Sequence, residues 1–110
     1  MSYIPKKGDF VVLSFNPQSG HEQQGRRPAL VISNTSFNKR MGLAVVCPIT
    51  NTDRKNPFHV PVDSDKLTGF VMSEQVKSID YKTRKVQFVA PAKPKLVNNV
   101  LGIVDSIIQT

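Results

Sequence analysis

The sequence predicts a small, mainly β fold, an antiparallel sheet completed by one C-terminal amphipathic helix. Three observations predict it. The chain has 110 residues, a length that suits a single core and buries roughly two-thirds of the surface the unfolded chain exposes. Short runs rich in Val, Ile, Leu and Phe alternate with Gly, Pro, Asn and Asp clusters up to Val89, as antiparallel strands joined by turns do. Beyond them the apolar spacing changes to three and four, at Val97, Val100, Leu101, Val104, Ile107 and Ile108, which is the period of a helix with one apolar face.

Residues 9–15 (DFVVLSF) and 28–33 (PALVIS) form the first two strands, being too short and too β-branched for helices. Residues 43–49 (LAVVCPI) are the most continuously apolar and belong at the centre of the sheet, with Pro48 marking the strand's end. In 58–62 (FHVPV), Pro61 has no N–H for a ladder, so this strand lies at an edge or a bulge. Residues 69–73 and 85–89 complete the set. Pro94 suits the first turn of the helix. Against it, Gly102 costs about 1 kcal/mol relative to alanine, and Asp105 sits at the end the helix dipole disfavours. No repeat, low-complexity tract or long linker divides the chain, so residues 1–110 read as one domain.

Fifteen Lys and Arg against eight Asp and Glu leave a net charge of +7. The cations are spread along the chain, so the basic surface belongs to the folded body and calls for an anionic partner. Cys47 is the only cysteine, which excludes an internal disulfide and a Cys-rich zinc site. His21 and His59 are too far apart to suggest a metal cage, and no metal or cofactor is expected. No apolar run approaches the roughly 18 residues of a membrane span, and the first residues lack a signal-peptide pattern. The expected location is the cytoplasm, without membrane association.

The phosphate-binding P-loop, the dinucleotide fingerprint, HExxH and the nucleophile elbow are all absent. Chemistry must therefore come from scattered side chains. Two polar loops suggest the walls of a groove: residues 16–26, long for a hairpin connection, and residues 51–56. Each carries arginine. The stretch 20–28 (GHEQQGRRP) gathers an imidazole, a carboxylate, two amides and two guanidiniums. That set suits a phosphodiester, but taken by itself it reads first as a solvated polar loop.

The pieces Gly8-Asp9, Phe15-Asn16-Pro17, residues 20–25 (GHEQQG) and residues 27–33 (RPALVIS) follow one another in an order that resembles the MazF/PemK family of toxin endoribonucleases. Phe37-Asn38, residues 48–50 (PIT), Pro57-Phe58, Gly69 and residues 75–80 (QVKSID) extend the resemblance from about Ile4 onward. It implies an SH3-like β barrel with a C-terminal helix and a homodimer. It also implies metal-independent, sequence-specific cleavage of single-stranded RNA at short sequences, with messenger and ribosomal RNA both open as the main target, and neutralisation by a cognate antitoxin.

RNA supplies its own nucleophile, the 2′-oxygen, so the protein must supply a proton acceptor, charge on the phosphorane and a proton for the leaving 5′-oxygen. The products are a 2′,3′-cyclic phosphate and a 5′-hydroxyl. Arg27 matches the arginine of the family's Arg-Pro-Ala element, and its planar fork meets two phosphate oxygens while remaining charged. Thr50 can donate to phosphate or cap a turn at a strand end, and the resemblance assigns it to the former. The resemblance implies proton transfer by Glu22 and substrate or loop contacts by Gln23, although either can be structural. His21 suits a proton shuttle, since an unperturbed imidazole titrates at about 6.5. Relatives that use this histidine also use an arginine and an aspartate where this chain has Met72 and Glu74, and only the second keeps its charge. Glu74 and Gln75 are expected to contact RNA, Lys77 and Arg54 its phosphates, and Phe37, placed in a loop, a base. Asp80 can simply cap a turn. His59 is expected to face solvent or a neighbouring strand.

The alternative reading is a CcdB-like poison of DNA gyrase, acting by protein contacts on the same barrel without nuclease activity. Such a protein needs no phosphate-handling loop, and its C-terminal end carries recognition, whereas this chain keeps Arg27 and Thr50 and ends in Gln109-Thr110. A third reading, a non-catalytic RNA-binding module, predicts no cleavage by the parent protein. The net charge suits both RNA and an acidic antitoxin segment in one groove. The third and fourth strands and the C-terminal helix are expected to supply the homodimer surface.

Overall fold

The structure, a computed structural model, describes residues 2–14 and 25–109. Among these residues seven strands appear in chain order: β1 Asp9–Ser14, β2 Arg26–Val31, β3 Leu43–Thr50, β4 His59–Pro61, β5 Phe70–Met72, β6 Lys77–Asp80 and β7 Gln87–Pro91. Two helices, α1 Thr35–Met41 and α2 Pro94–Ile108, complete the fold. Pairing is antiparallel throughout, in the order β4-β5-β3-β2-β1-β7, with β6 against β3. Among the described residues no ladder joins β4 to β7, so the barrel suggested by the resemblance is an open, wrapped sheet.

Side-chain alternation explains why the central strands read as continuously apolar: both faces are covered. Phe10, Leu30, Cys47 and Ile49 point to one face, where Leu96, Val97, Val100 and Val104 of α2 cover them. The alternate residues Val11, Leu13, Ala29, Val31, Ala44 and Val46 fill the other face with Ile79 and Tyr81. Each Val, Leu, Ile or Phe side chain among them contributes about 1.5–3 kcal/mol when buried. α2 starts at Pro94, as its sequence predicts.

β3 is central, as expected, but does not stop at Pro48. It pairs with β6 through residues 43–46 and with β5 through Ile49 and Thr50. Pro48 falls at the changeover between those two partners, where neither ladder asks for its missing N–H. β6 and α1 are elements the apolar pattern does not announce. α1 begins where the Asn34 side chain accepts a hydrogen bond from the Phe37 N–H (2.8 Å) and ends at Gly42, whose φ of 69° closes the last turn. Phe37 is therefore helical rather than in a loop.

Asn38, fully buried, ties α1 to the sheet. Its amide donates to Pro5 O (2.8 Å) and Ser33 O (3.1 Å), and its own carbonyl accepts from the Tyr81 hydroxyl (2.9 Å). Asp80 caps the turn after β6, accepting from the Lys82 and Thr83 backbone N–H groups (both 3.1 Å). Those bonds, Thr83's first, hold its carboxyl below the usual carboxylate range.

Cys47 is enclosed in β3, and burial, reinforced by the Glu74 charge, pushes its thiol up to about 12. A thiol so held is neither a nucleophile nor a ready metal ligand near neutrality. Alkylation by iodoacetamide is expected to be negligible in the native protein and complete within minutes in denaturant. Mass spectrometry of the labelled chain checks this, and rapid native labelling would contradict the packing of β3.

Candidate active site

The antiparallel register of β2 turns two consecutive arginines to opposite uses. Arg26, opposite Ser14, donates from Nη1 to Lys85 O and from Nη2 to the Gln87 side-chain oxygen, both at 2.8 Å, and so fastens the β6–β7 turn. Arg27, opposite Leu13, is exposed, and its side chain makes no hydrogen bond or ion pair among the described residues. Its guanidinium lines a cavity of about 540 Å³.

β3 supplies the floor of this cavity through Pro48, Ile49 and Thr50. Thr50 Oγ1 accepts the Thr52 N–H (3.2 Å), so the hydroxyl caps the turn and still has its own proton to donate. Both uses weighed for Thr50 are therefore compatible. In the following loop Asp53 engages Lys55 by a backbone bond (3.0 Å) and an exposed ion pair (3.3 Å). Arg54 and Asn56, the residues to either side of Lys55, line the cavity.

The opposite wall comes from β5, the 3₁₀ turn Ser73–Gln75 and β6, which place Met72, Glu74, Gln75 and Lys77 at the cavity. Glu74 is the only acid among the described lining residues, facing the cations Arg27, Arg54 and Lys77. An anion entering here meets net positive charge in a recess that concentrates the field. His59, from β4, completes the wall, with Nε2 3.0 Å from Glu74 Oε2. Among the described residues no three His, Cys, Asp or Glu side chains group closely enough to hold a metal ion.

Six residues singled out in the sequence, Arg27, Thr50, Arg54, Glu74, Gln75 and Lys77, thus share one cavity. His21, Glu22 and Gln23 lie outside the described residues. Phe37 is elsewhere: capping by Asn34 turns it into α1, where it borders a separate cavity of about 290 Å³ with Ile32, Val45 and Leu101. The sequence places His59 at solvent or a neighbouring strand, but it lines the cavity, as do Met72 and Asn56, the latter from the stretch 51–56 that reads as a groove wall. The signal for His59 is alternation, since Val60 belongs to the core and His59 must face the other way.

A family model described as "PemK-like, MazF-like toxin of type II toxin-antitoxin system" matches residues 6–108. The chain is 36% identical over 110 residues to the endoribonuclease toxin ChpB of Escherichia coli strain K12, covering 94% of each chain. It is 33% identical over 104 residues to the endoribonuclease toxin MazF of the same strain, covering 92% of this chain and 94% of that one. Among solved structures, the MazE-MazF crystal structure (form II) from Deinococcus radiodurans superposes with a TM-score of 0.87, 30% identity and 99% coverage of both chains.

Proposed function

The chain belongs to the PemK-like, MazF-like toxins of type II toxin-antitoxin systems, and from that membership and its basic cavity we propose that it is an endoribonuclease cutting single-stranded RNA. The observation that carries this reading is the convergence of Arg27 and Thr50, from adjacent strands, on one recess with Arg54, Gln75 and Lys77. In the reaction the RNA 2′-oxygen bonds to phosphorus and the bond to the 5′-oxygen breaks. Arg27 holds the phosphorane oxygens through its fork, and Thr50 donates to the same charge. The 2′-hydroxyl proton passes to Glu22 or His21, and the leaving 5′-oxygen receives one in return. Gln23, Gln75, Lys77 and Arg54 hold the strand in register.

Messenger RNA in the cytoplasm is the target this scheme serves, with growth inhibition as the consequence. Among the described residues no helix is long and apolar enough to cross a membrane. The same recess suits an acidic segment of an antitoxin, in keeping with the MazE-MazF pairing of the Deinococcus relative. Exposed Ile107 and Ile108 at the end of α2 offer apolar surface for a homodimer of this single toxin domain. A gyrase poison has no comparable support, since the relatives quoted are named endoribonucleases.

The test is incubation of purified protein with mixed-sequence single-stranded RNA in excess EDTA, followed by mapping of the ends. Discrete cuts with 5′-hydroxyl ends are expected, and Thr50→Ala is expected to slow them by about 10- to 100-fold, the effect of one donor to a charged group. No cutting by folded parent protein would refute the reading.

A further inference from the structure

We infer that His59 is a positioning residue of the RNA site, orienting the Glu74 carboxylate so that its second oxygen accepts a hydrogen bond from the bound nucleotide. The inference rests on the nuclease reading and adds to it a residue outside the motifs that carry the family resemblance.

The geometry begins in the backbone. His59 pairs with Met72 across β4 and β5, and the Ser73 N–H donates to Phe58 O (3.3 Å), which fixes the 3₁₀ turn against the start of β4. Glu74 is thereby brought over the imidazole, which donates from Nε2 to Oε2 at 3.0 Å. The two side chains are unequally covered. That of His59 is only 4% exposed, whereas that of Glu74 is 29% exposed and opens on the cavity.

His59 Nδ1 is buried and has no hydrogen-bond partner among the described residues. A histidine retained for packing alone would have both ring nitrogens satisfied, or would be replaced by an apolar β-former without an orphaned polar atom. Here the only hydrogen bond that a nearly enclosed ring makes among the described residues points to a cavity-lining acid. The arrangement follows the rule that a functional group is held by a neighbour whose own conformation is locked by packing.

Glu74 is also out of place for phosphate binding. An anion beside Arg27, Arg54 and Lys77 weakens the attraction for phosphate oxygens, which accept and never donate. Hydrogen-bond donors on RNA are the ribose 2′-hydroxyl and the N–H groups of the bases. A fixed carboxylate therefore answers one of these, and His59 removes the rotamer freedom that would otherwise blur it.

The experiment compares RNA cleavage by the parent, His59→Phe, His59→Gln, Glu74→Gln and the double variant His59→Phe/Glu74→Gln, with thermal unfolding of each. His59→Phe keeps the ring and loses the donor, and it should lower kcat/KM about tenfold. His59→Gln restores an N–H at similar reach and should recover most of that loss. In the Glu74→Gln background His59→Phe should add little, because one interaction is removed twice. Equal losses in both backgrounds, or no advantage of Gln over Phe, would overturn the inference by leaving His59 a structural role.

Binding of RNA with 2′-fluoro groups, which cannot donate, separates the two donors. A weakened Kd for Glu74→Gln identifies a base N–H; a loss confined to kcat identifies the 2′-hydroxyl. Should His59→Phe not fold, Glu74→Gln must still lose about tenfold and His59→Gln remain near parental. A folded parent that does not cut would refute the nuclease reading. Affinity for unmodified RNA would then decide the inference, about tenfold weaker binding by His59→Phe and by Glu74→Gln supporting it and parental binding overturning it.

Discussion

Arg27→Ala is expected to lower RNA cleavage by about 10²- to 10³-fold, the effect of deleting a principal charge-stabilising group, with little change in stability. The expectation follows from what the side chain does and does not touch. The Arg27 side chain is exposed at the cavity and makes no hydrogen bond or ion pair among the described residues, so its removal leaves no partner among them unsatisfied. Arg26 provides the contrast. Its guanidinium holds Lys85 O and the Gln87 side chain at 2.8 Å each, so Arg26→Ala should lower the melting temperature and affect cleavage less. Arg27→Lys should recover only part of the loss, since an ammonium supplies charge without a fork for two phosphate oxygens. End-labelled RNA cleavage and thermal melting of the three variants check this. Cleavage by Arg27→Ala within a few-fold of the parent would remove Arg27 from the chemistry.

What the sequence discloses of the fold depends on whether apolar periodicity is present. α2 carries an unbroken apolar stripe over nearly its whole length, and β1, β2 and β3 are long enough for alternation to show. β6 has a single buried residue, Ile79, among Lys77, Ser78 and Asp80, so no pattern marks it. α1 is similarly mute: its one buried residue is the polar Asn38, and only its ends, Asn34 and Gly42, carry the usual capping signals. Such short elements owe their existence to tertiary contacts, here the Asn38 hydrogen bonds and the β3 ladder.

The site is partly legible for a related reason. The polar stretch 51–56 reads as a groove wall, and it does supply Arg54 and Asn56. Arg27 and Thr50 stand out because they fall within ordered family motifs, not because their spacing of 23 positions forces a meeting. Their convergence is created by the β2–β3 ladder, whose register sets Ala29 opposite Pro48. Alternation turns His59 away from the core, but local sequence does not set it against Glu74, which lies fifteen residues away on another element.

Gly69→Ala tests the same coupling of fold to site, and its effect should be the largest on stability of any substitution proposed. Gly69 lies just before β5 with φ of 128°, a conformation that side chains on L residues rarely adopt. A Cβ there would stand 2.6 Å from Thr50 O and 3.0 Å from Ile49 Cγ2. Backbone cannot move aside as a flexible side chain can, and Gly69 O also accepts the Val62 N–H at 2.8 Å. Conformational strain and the clash together should cost about 2–4 kcal/mol, a fall in melting temperature on the order of 10–20 °C. Gly42→Ala is the internal comparison, because φ is 69° but nothing lies within 4 Å of the added carbon, leaving about 1 kcal/mol of left-handed strain alone. The atom that must yield to the new methyl group belongs to Thr50, so Gly69→Ala should also slow cleavage well below its melting temperature, whereas Gly42→Ala should not. Equal melting temperatures for the two variants would show that the Thr50 backbone gives way freely, and then Thr50 would not be held rigidly enough to position its hydroxyl against a phosphate.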